Sequence, residues 1–234
     1  VWSDGTTKFD GTISAQGGSL SGDGGLVETS GKNILQASGM VNASASNGVA
    51  GEWLLDPRNV TITSATANGT YLSGEFTPSD DSATIDAATI NSSLNGGTNV
   101  TVNTGSDGTQ AGDITVLSAI SKTSGTDATL KLQAANSIYV NNNITSTSGK
   151  LNMTLSAANA TGAITGGVSV NGNLTSNGGN ILIGGGTGVV TNGIGFARNL
   201  FSSAPKSGTY SGLNPAVLIG TGINILSNGG NITI

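Results

Sequence analysis

The chain of 234 residues contains no cysteine and no histidine. Without cysteine there are no disulfide bonds, no thiol chemistry and no thiolate metal ligands, so packing and hydrogen bonding alone must stabilise the fold. Without histidine, the chain lacks both the usual general base of enzymes and the commonest transition-metal ligand. We therefore predict a protein that is not an enzyme and that has no metal site and no cofactor.

Charged side chains are also scarce, at 9% of the residues against roughly 25% in an average protein. Only eight residues are Lys or Arg, and the net charge is −5. This balance argues against nucleic-acid binding, which requires a basic surface. No apolar run approaches the roughly 18–20 residues that a membrane-spanning helix requires, so we expect a chain that is not embedded in a membrane.

The residues that are abundant favour short strands over disorder. Gly accounts for 38 residues, and turn-forming Gly, Asn and Ser separate short runs in which apolar residues alternate with polar ones. Disordered chains instead lack β-branched residues and carry a high net charge. An apolar residue at every second position buries one face of a strand and leaves the other in water. The pattern predicts strands at 12–14, 26–28, 33–36, 39–43, 60–63, 100–103, 113–117, 129–133, 137–140, 151–155, 168–170, 180–183, 216–219 and 231–234.

The apolar pattern also repeats at a distance. Ile114, Val116 and Ile120 form a phrase that returns at positions 138–144 and again at positions 168–174. A second phrase, at 148–153, aligns with 178–183 and then with 229–234, and Leu130 aligns with Leu151. Repeats on this scale are typical of solenoids, in which each coil buries its apolar face against the next coil. We therefore predict an all-β chain whose residues 1–234 form a single parallel β-helix.

Three segments depart from the strand rhythm. Residues 86–95 begin with Asp86, a favourable helix N-cap, and are followed by two glycines, so we predict one short helix that flanks the stack. Excursions from the coils are expected at about 66–81 and 196–215, the first a loop or small hairpin. Insertions of this kind in repeat proteins form loops, often on the binding face.

Residues 1–62 carry a more specific signal. Its strongest marker is the phrase Trp53–Leu54–Leu55–Asp56–Pro57, which is followed by an Asn–Val–Thr–Ile strand at 59–62. Together with the Gly-rich phrases at 11–18 and 22–31, it closely resembles the large exoproteins of two-partner secretion systems, the filamentous-haemagglutinin-like and high-molecular-weight adhesins. Beyond residue 62 the resemblance continues by pattern, for example at 99–102 and 113–116.

The resemblance implies a right-handed parallel β-helix that is exported through an outer-membrane secretion partner and displayed on, or shed from, a Gram-negative cell. The N-terminal secretion domain of that family, with its Asn–Pro–Asn-type motifs, is not in this sequence. The chain starts at Val1 and stops at Ile234 in what reads as mid-strand. We therefore expect a monomeric segment from just downstream of the secretion domain.

On this basis the expected function is structural and adhesive: a segment of a secreted bacterial surface exoprotein that attaches the cell to host cells or surfaces during virulence. One alternative is the shaft of a contact-dependent toxin-delivery exoprotein, which sequence beyond Ile234 would reveal. Another is a β-helical polysaccharide-active enzyme, which would need several carboxylates and an arginine on one face. Arg58 and Arg198 are the only arginines, and neither lies beside an acidic cluster in the sequence.

If this segment itself binds a host glycan or protein, we expect Phe201 and Tyr210, in the excursion at 196–215, to make the contact. Alternatively, these aromatic side chains cover the flank of the rod. Trp53 is expected to be buried, with its indole N–H bonded to the backbone, or else to serve as a platform for a sugar ring. Asp56, which precedes a proline, is expected to form a turn.

Two further residue classes suggest sites. Asp80, Asp81 and Asp86, and more weakly Asp107 and Asp113, place hard oxygen ligands near one another, which would suit calcium, although helix capping and solvation also explain them. The chain also contains ten Asn-x-Ser/Thr sequons. Some relatives in the family that the chain resembles are glycosylated at such sites; alternatively, these asparagines form turns and stack between coils. The candidates for glycosylation are Asn42, Asn59, Asn68, Asn143 and Asn173.

Overall fold

The computed structural model describes residues 1–64, 83–105, 110–159, 166–185 and 217–234, together with the backbone of 69–72 and 75–78. In chain order the elements are β1 (Trp2–Ser3), β2 (Thr6–Phe9), β3 (Thr12–Ser14), β4 (Leu26–Gly31), β5 (Ile34–Ala37), β6 (Met40–Asn42), β7 (Glu52–Asp56), β8 (Val60–Thr63), β9 (Gly69–Leu72), β10 (Glu75–Pro78), β11 (Ala83–Asp86), α1 (Ala87–Asn95), β12 (Asn99–Asn103), β13 (Ile114–Val116), β14 (Ile120–Lys122), β15 (Ala128–Gln133), β16 (Ile138–Val140), β17 (Ile144–Ser146), β18 (Leu151–Ala157), β19 (Val168–Val170), β20 (Leu174–Thr175), β21 (Ile181–Gly185), β22 (Val217–Ile219), β23 (Ile225–Leu226) and β24 (Ile232–Thr233).

The strands wind into a stack of parallel coils with three faces. Sheet A has the order β1-β4-β7-β12-β15-β18-β21-β24, and sheet B has the order β2-β5-β11-β8-β13-β16-β19-β22. The third face is divided between the pair β3-β6 and the four strands β14-β17-β20-β23. These long parallel sheets, accompanied by one helix, confirm the predicted parallel β-helix.

Each sheet turns its apolar side chains toward a shared core. In β15 the side chains alternate strictly between buried and partly exposed positions, as a period of two requires. Val100, Leu130 and Met153 pair in register across β12, β15 and β18, and each is at most 1% exposed. Full burial of one such side chain is worth about 1.5–3 kcal/mol relative to exposure. Columns of this kind therefore stabilise the stack without disulfide bonds.

The repeated apolar phrase marks the true strand register in sheet B and on the third face. Ile114 pairs with Ile138, which pairs with Val168 in the next coil. On the third face, Ile120 pairs with Ile144, at the end of the same phrase. The predicted alignment of this phrase is thereby confirmed, because the same positions of successive coils face each other.

Two other predicted registers are wrong, each by two positions. Leu130 lies opposite Met153 rather than Leu151, which pairs with Ala128. Likewise Met153 pairs with Ile181, whereas the alignment of the second phrase placed it opposite Ile183. A shift of two positions keeps the same face of a strand inward, so the apolar pattern alone does not distinguish the two registers.

Every predicted strand overlaps a strand of the structure, but several strands were missed. Most of the missed strands have two to four residues, which is too few for an alternation to be recognised, whereas β7 has five residues and lies within the marker phrase. Those among the described residues are β1, β2, β7, β11, β14, β17, β20 and β23; β9 and β10 form an antiparallel pair where a loop or small hairpin was expected.

One strand of sheet B lies out of chain order. Ile85 of β11 pairs with Ile62 of β8 on one side and with Ala37 of β5 on the other. After β8 the chain therefore leaves the stack, forms the antiparallel pair β9–β10, and returns one layer nearer to the N-terminal coils. The excursion expected at about 66–81 falls in this part of the chain.

Helix α1 confirms the predicted helix near 86–95 and occupies the gap in the third face. Asp86 is its N-cap and accepts a hydrogen bond from the Ala88 N–H at 2.9 Å, and Gly96 ends it. Ile90 and Leu94, one turn apart, are fully buried against the core. The helix thus takes the place that a strand would occupy between β6 and β14.

The side chains of α1 satisfy the two strand edges that the gap leaves open. On the β6 side, the Thr89 hydroxyl donates to the Gly39 carbonyl, and the Ser93 hydroxyl donates to the Val41 carbonyl at 2.8 Å. Helix residues four apart lie on the same face. Thr89 and Ser93 therefore present two donors in a row to the edge of β6.

On the β14 side, the helix offers acceptors instead. The Asn91 Oδ1 accepts from the Ser121 N–H at 2.8 Å, and the Asn95 Oδ1 accepts from Thr123 and Ser124 at 2.8 and 3.1 Å. The edge of a parallel strand exposes alternating N–H donors and C=O acceptors. Side chains on one face of α1 bond to the β6 side and those on the opposite face bond to the β14 side, so the helix replaces the strand that would otherwise lie between them.

Candidate functional site

Within the marker phrase at 53–57, Trp53 and Leu55 build the core, whereas Asp56 and Pro57 line a surface groove. Trp53 is 0% exposed, which excludes it as a platform for a sugar ring in this structure. Its ring packs edge-on against Phe9, with centroids 6.1 Å apart. The indole N–H donates to the Thr29 hydroxyl at 3.0 Å, so the expected backbone partner is wrong. Leu55 is also fully buried, and Leu54 faces outward.

The outward positions at the ends of the sheet A strands form a row along the stack. Trp2 pairs with Ser30, and Ser30 pairs with Asp56. In β12, Val102 pairs with Leu55, and the next residue, Asn103, lies beside Asp56. Asn103 in turn lies opposite Gln133 of β15, so the row continues along the stack. Because neighbouring strands lie about 4.8 Å apart, the row presents one side chain per coil at that interval.

A groove of about 270 Å³ follows the first part of this row. Its lining includes Trp2, which is 61% exposed, and the buried Ser30. Lys32 and Arg58, in turns between sheets A and B, also line the groove. An indole face, a hydroxyl and charged groups are thus brought to one concave surface, although they are distant in sequence.

The charges of the groove are balanced. Asp4 and Asp56 supply two carboxylates, and Lys32 and Arg58 supply two cations. The Lys32 ammonium lies 3.8 Å from the Asp4 carboxylate, with both side chains more than half exposed, so the pair contributes little to stability. The Arg58 Nε donates to the Lys32 carbonyl at 2.7 Å, which holds the arginine against the preceding coil.

A second groove of about 230 Å³ continues the row and shares Gly105 with the first groove. The other described residues that line it are Asn103, Gln133 and Asn159, which all carry side-chain amides. The Asn103 Oδ1 accepts from the Gly105 N–H at 3.1 Å, and the Asn159 Nδ2 donates to the Ser156 carbonyl at 2.8 Å. These bonds orient two of the amides while each side chain remains partly exposed. We call the two grooves together the axial groove.

The axial groove was not predicted from the sequence. Arg58 was judged to lie apart from any acidic cluster, but the coils place it beside Asp4 and Asp56 in the same groove. The signal that could have found it is the alignment of the β4 phrase with the β7 phrase, which puts Ser30 opposite Asp56. The same alignment, extended one coil toward the N-terminus, would have placed Trp2 opposite Ser30.

The residues predicted to bind a partner, Phe201 and Tyr210, lie outside the described residues, as does the whole excursion at 196–215. Asp80, Asp81 and Asp107 lie outside them too. Of the other aspartates named for calcium, Asp86 caps α1, and Asp113 accepts from the Asn136 amide and the Ser137 N–H. Within the described ranges, no three Cys, His, Asp or Glu side chains are grouped as metal ligands would be.

The sequon asparagines act mainly as acceptors for neighbouring coils. The Asn143 Oδ1 accepts from the Asn173 N–H at 2.8 Å, and the Asn173 Oδ1 accepts from the Asn224 N–H at 2.9 Å. Asn59 accepts from two backbone N–H groups, and Asn42 from Ser44. Asn68 lies outside the described residues. These bonds use the amide oxygen, so glycosylation at the amide nitrogen stays an untested prediction.

A buried lysine with a lowered pKa lies on the third face. Lys122 is 0% exposed, and its Nζ donates to the Ser124 and Ser148 carbonyls at 2.6 and 2.7 Å. Burial lowers the pKa of Lys122 from its usual 10.5, and the charge of Asp127 partly opposes that effect. Lys122 was not predicted to be buried, because a charged residue at an alternate position of a short strand gives no sign in the sequence that it faces inward.

Comparison with known proteins identifies no relative: a scan against protein-family models finds no match, and a search of curated proteins finds none. Within the described part of the chain, no helix is long and apolar enough to span a bilayer.

Proposed function

We propose that the chain is a structural and adhesive segment of a large secreted bacterial surface exoprotein, exported through an outer-membrane partner. The observation that carries this proposal is the uninterrupted parallel stacking of sheet A, whose eight strands share one hydrogen-bonded ladder. Such a ladder makes a stiff rod whose outer face displays side chains in fixed rows. The marker phrase at 53–57, which resembles two-partner-secretion adhesins, supports the same proposal.

Two binding regions serve this function. The excursion at 196–215, with Phe201 and Tyr210, is one candidate for contact with a host glycan or protein. The axial groove, which is built from described residues, is the other candidate. A rod that carries both would attach along its side, at a distance from the cell.

The adhesive role is tested by coupling the purified chain to beads and applying them to cultured epithelial cells and to glycan and matrix-protein arrays. We expect saturable attachment that the soluble chain competes away. A variant lacking residues 198–212 assigns the attachment to the aromatic excursion if binding is lost. Absence of attachment to every surface, by a chain with an intact β-rich circular dichroism spectrum, would contradict the adhesive role.

A further inference from the structure

The axial groove has the features of a site for a polymer with a short, regular repeat. Its row of outward side chains runs along the stack, parallel to the rod axis, with one residue for each coil of sheet A. The coil interval of about 4.8 Å is close to the length of one sugar ring in an extended chain. A linear glycan laid along the groove would therefore meet an equivalent position at each successive unit.

We propose that the axial groove binds an extended, uncharged oligosaccharide along the rod axis. The proposal names a binding site and a class of ligand for the adhesive role. It rests on the proposed function only for its biological setting. Binding in the groove is a property of the chain itself, so it is tested on the purified protein, apart from any attachment to cells.

Trp2 supplies the stacking surface. It is 61% exposed, while Trp53 is fully buried, so Trp2 is the tryptophan available to a ligand. Sugar rings present C–H groups on one face, which pack on the negative face of an aromatic ring as other partially positive groups do. Placed on the outward side of β1, the indole gives the groove an aromatic face on which a sugar ring can pack.

The rest of the groove supplies hydrogen bonds of both kinds. Asn103 and Asn159 use their amide oxygens in bonds to Gly105 and Ser156 but keep amide N–H donors, Gln133 carries a further amide, and the Asp56 carboxylate lines the first part of the groove. A sugar hydroxyl both donates and accepts, so neighbouring amides and carboxylates suit pairs of hydroxyl groups. Pockets lined mainly by apolar side chains instead favour drug-like or lipid ligands.

The charge of the groove selects against ionic polymers. Among the described residues, its first part holds two carboxylates and two cations, and its second part holds amides and a glycine. The chain as a whole carries a net charge of −5. A sulfated or carboxylated polysaccharide therefore gains no net electrostatic attraction in the groove, and the negative charge of the chain as a whole does not draw it there, whereas a neutral chain needs no such attraction.

The test uses the whole 234-residue chain and the indole N–H signals of its two tryptophans, observed by nuclear magnetic resonance. The probes are cellohexaose, mannohexaose and chitohexaose, their disaccharides, and a heparin hexasaccharide. We expect at least one neutral hexasaccharide to shift the Trp2 signal and leave the Trp53 signal in place. We expect that hexasaccharide to bind about tenfold more tightly than its disaccharide, because it reaches both parts of the groove.

Two groove variants and two controls locate the binding. Trp2→Ala should weaken it about tenfold through the lost stacking, and the double variant Asn103→Ala/Gln133→Ala should weaken it by a similar factor. Leu26→Ala, on the neighbouring strand at 71% exposure, and Gln16→Ala, an exposed amide on another face, are the matched controls and should bind normally.

The inference is overturned if no neutral hexasaccharide shifts the Trp2 signal, if heparin binds more tightly, or if both groove variants bind as well as the controls. These outcomes leave the cell-attachment result unchanged. Conversely, oligosaccharide binding without attachment to any cell or matrix surface would uphold the groove and contradict the adhesive role.

Discussion

Lys122 occupies a position that serine occupies in the following coils. It pairs with Ser146, whose hydroxyl donates to the Ser148 and Gly149 carbonyls, two and three residues further on. The Lys122 ammonium donates to the carbonyls at the same two relative positions, Ser124 and Gly125. The side chain at this position therefore donates hydrogen bonds to the carbonyls of the following turn in each coil. At Lys122 the donor is a buried charged group.

The buried charge gives a pH-dependent prediction for Lys122→Met. Burial lowers the pKa of Lys122 in the folded chain, so below its usual pKa of 10.5 the unfolded chain binds more protons than the folded chain. The contribution of Lys122 to the free energy of unfolding therefore rises with pH up to about 10.5. We expect the variant to be about 1 kcal/mol less stable than the unmodified chain at pH 7, and the difference to widen by pH 10.

The measurement is urea denaturation of both proteins from pH 7 to pH 10.5, with Lys150→Met, which removes an exposed lysine, as the control for the change in net charge. A stability difference that stays constant or shrinks as the pH rises would contradict the account of Lys122.

At the scale of elements, α1 shows how a helix can be inserted into a β stack. Its buried row, Ile90 and Leu94, fills the core as a strand would. The hydrogen bonds that a strand would make come instead from side chains, among them Asn91 and Asn95. Two asparagines at this spacing are therefore structural acceptors, although one of them begins a sequon.

We predict that the double variant Asn91→Ala/Asn95→Ala weakens the third face next to the helix. It removes the acceptors of the Ser121, Thr123 and Ser124 N–H groups, which should lower the unfolding free energy by about 2–3 kcal/mol. Hydrogen exchange should accelerate most at those three amides. Ser92→Ala, on the exposed side of α1, is the control and should change stability by less than about 0.5 kcal/mol. Uniform acceleration across all sheets would contradict a local role for the helix.

The elements also show where sequence reasoning succeeds and where it stops. The N-cap Asp86, the pair Ile90 and Leu94, and two glycines were sufficient to predict the helix, because helix ends and one apolar stripe are local signals. Its position within the third face was not predictable, since its partners Gly39 and Val41 belong to a distant part of the sequence. The out-of-order pairing of β11 is non-local for the same reason.

At the scale of the whole molecule, the stacking of coils converts a simple repeat into rows of aligned side chains. The register between coils decides which side chains share a row, and alternation with a period of two cannot fix it. Leu130 shows this limit: the sequence placed it opposite Leu151, and the structure places it opposite Met153. The axial groove was not predicted from the sequence because its residues come into one row only when the register between coils is known.

The register of the row is thus the central claim, and disulfide cross-linking tests it most directly because the chain has no cysteine of its own. Asn103 lies opposite Gln133, whereas Lys131, two positions back on the same face, lies opposite Thr101. Under mild oxidation we expect the variant Asn103→Cys/Gln133→Cys to form a disulfide within the monomer, since paired positions have the required separation. The variant Asn103→Cys/Lys131→Cys should stay reduced. Cross-linking of the second variant in preference to the first would contradict the register and, with it, the row that forms the groove.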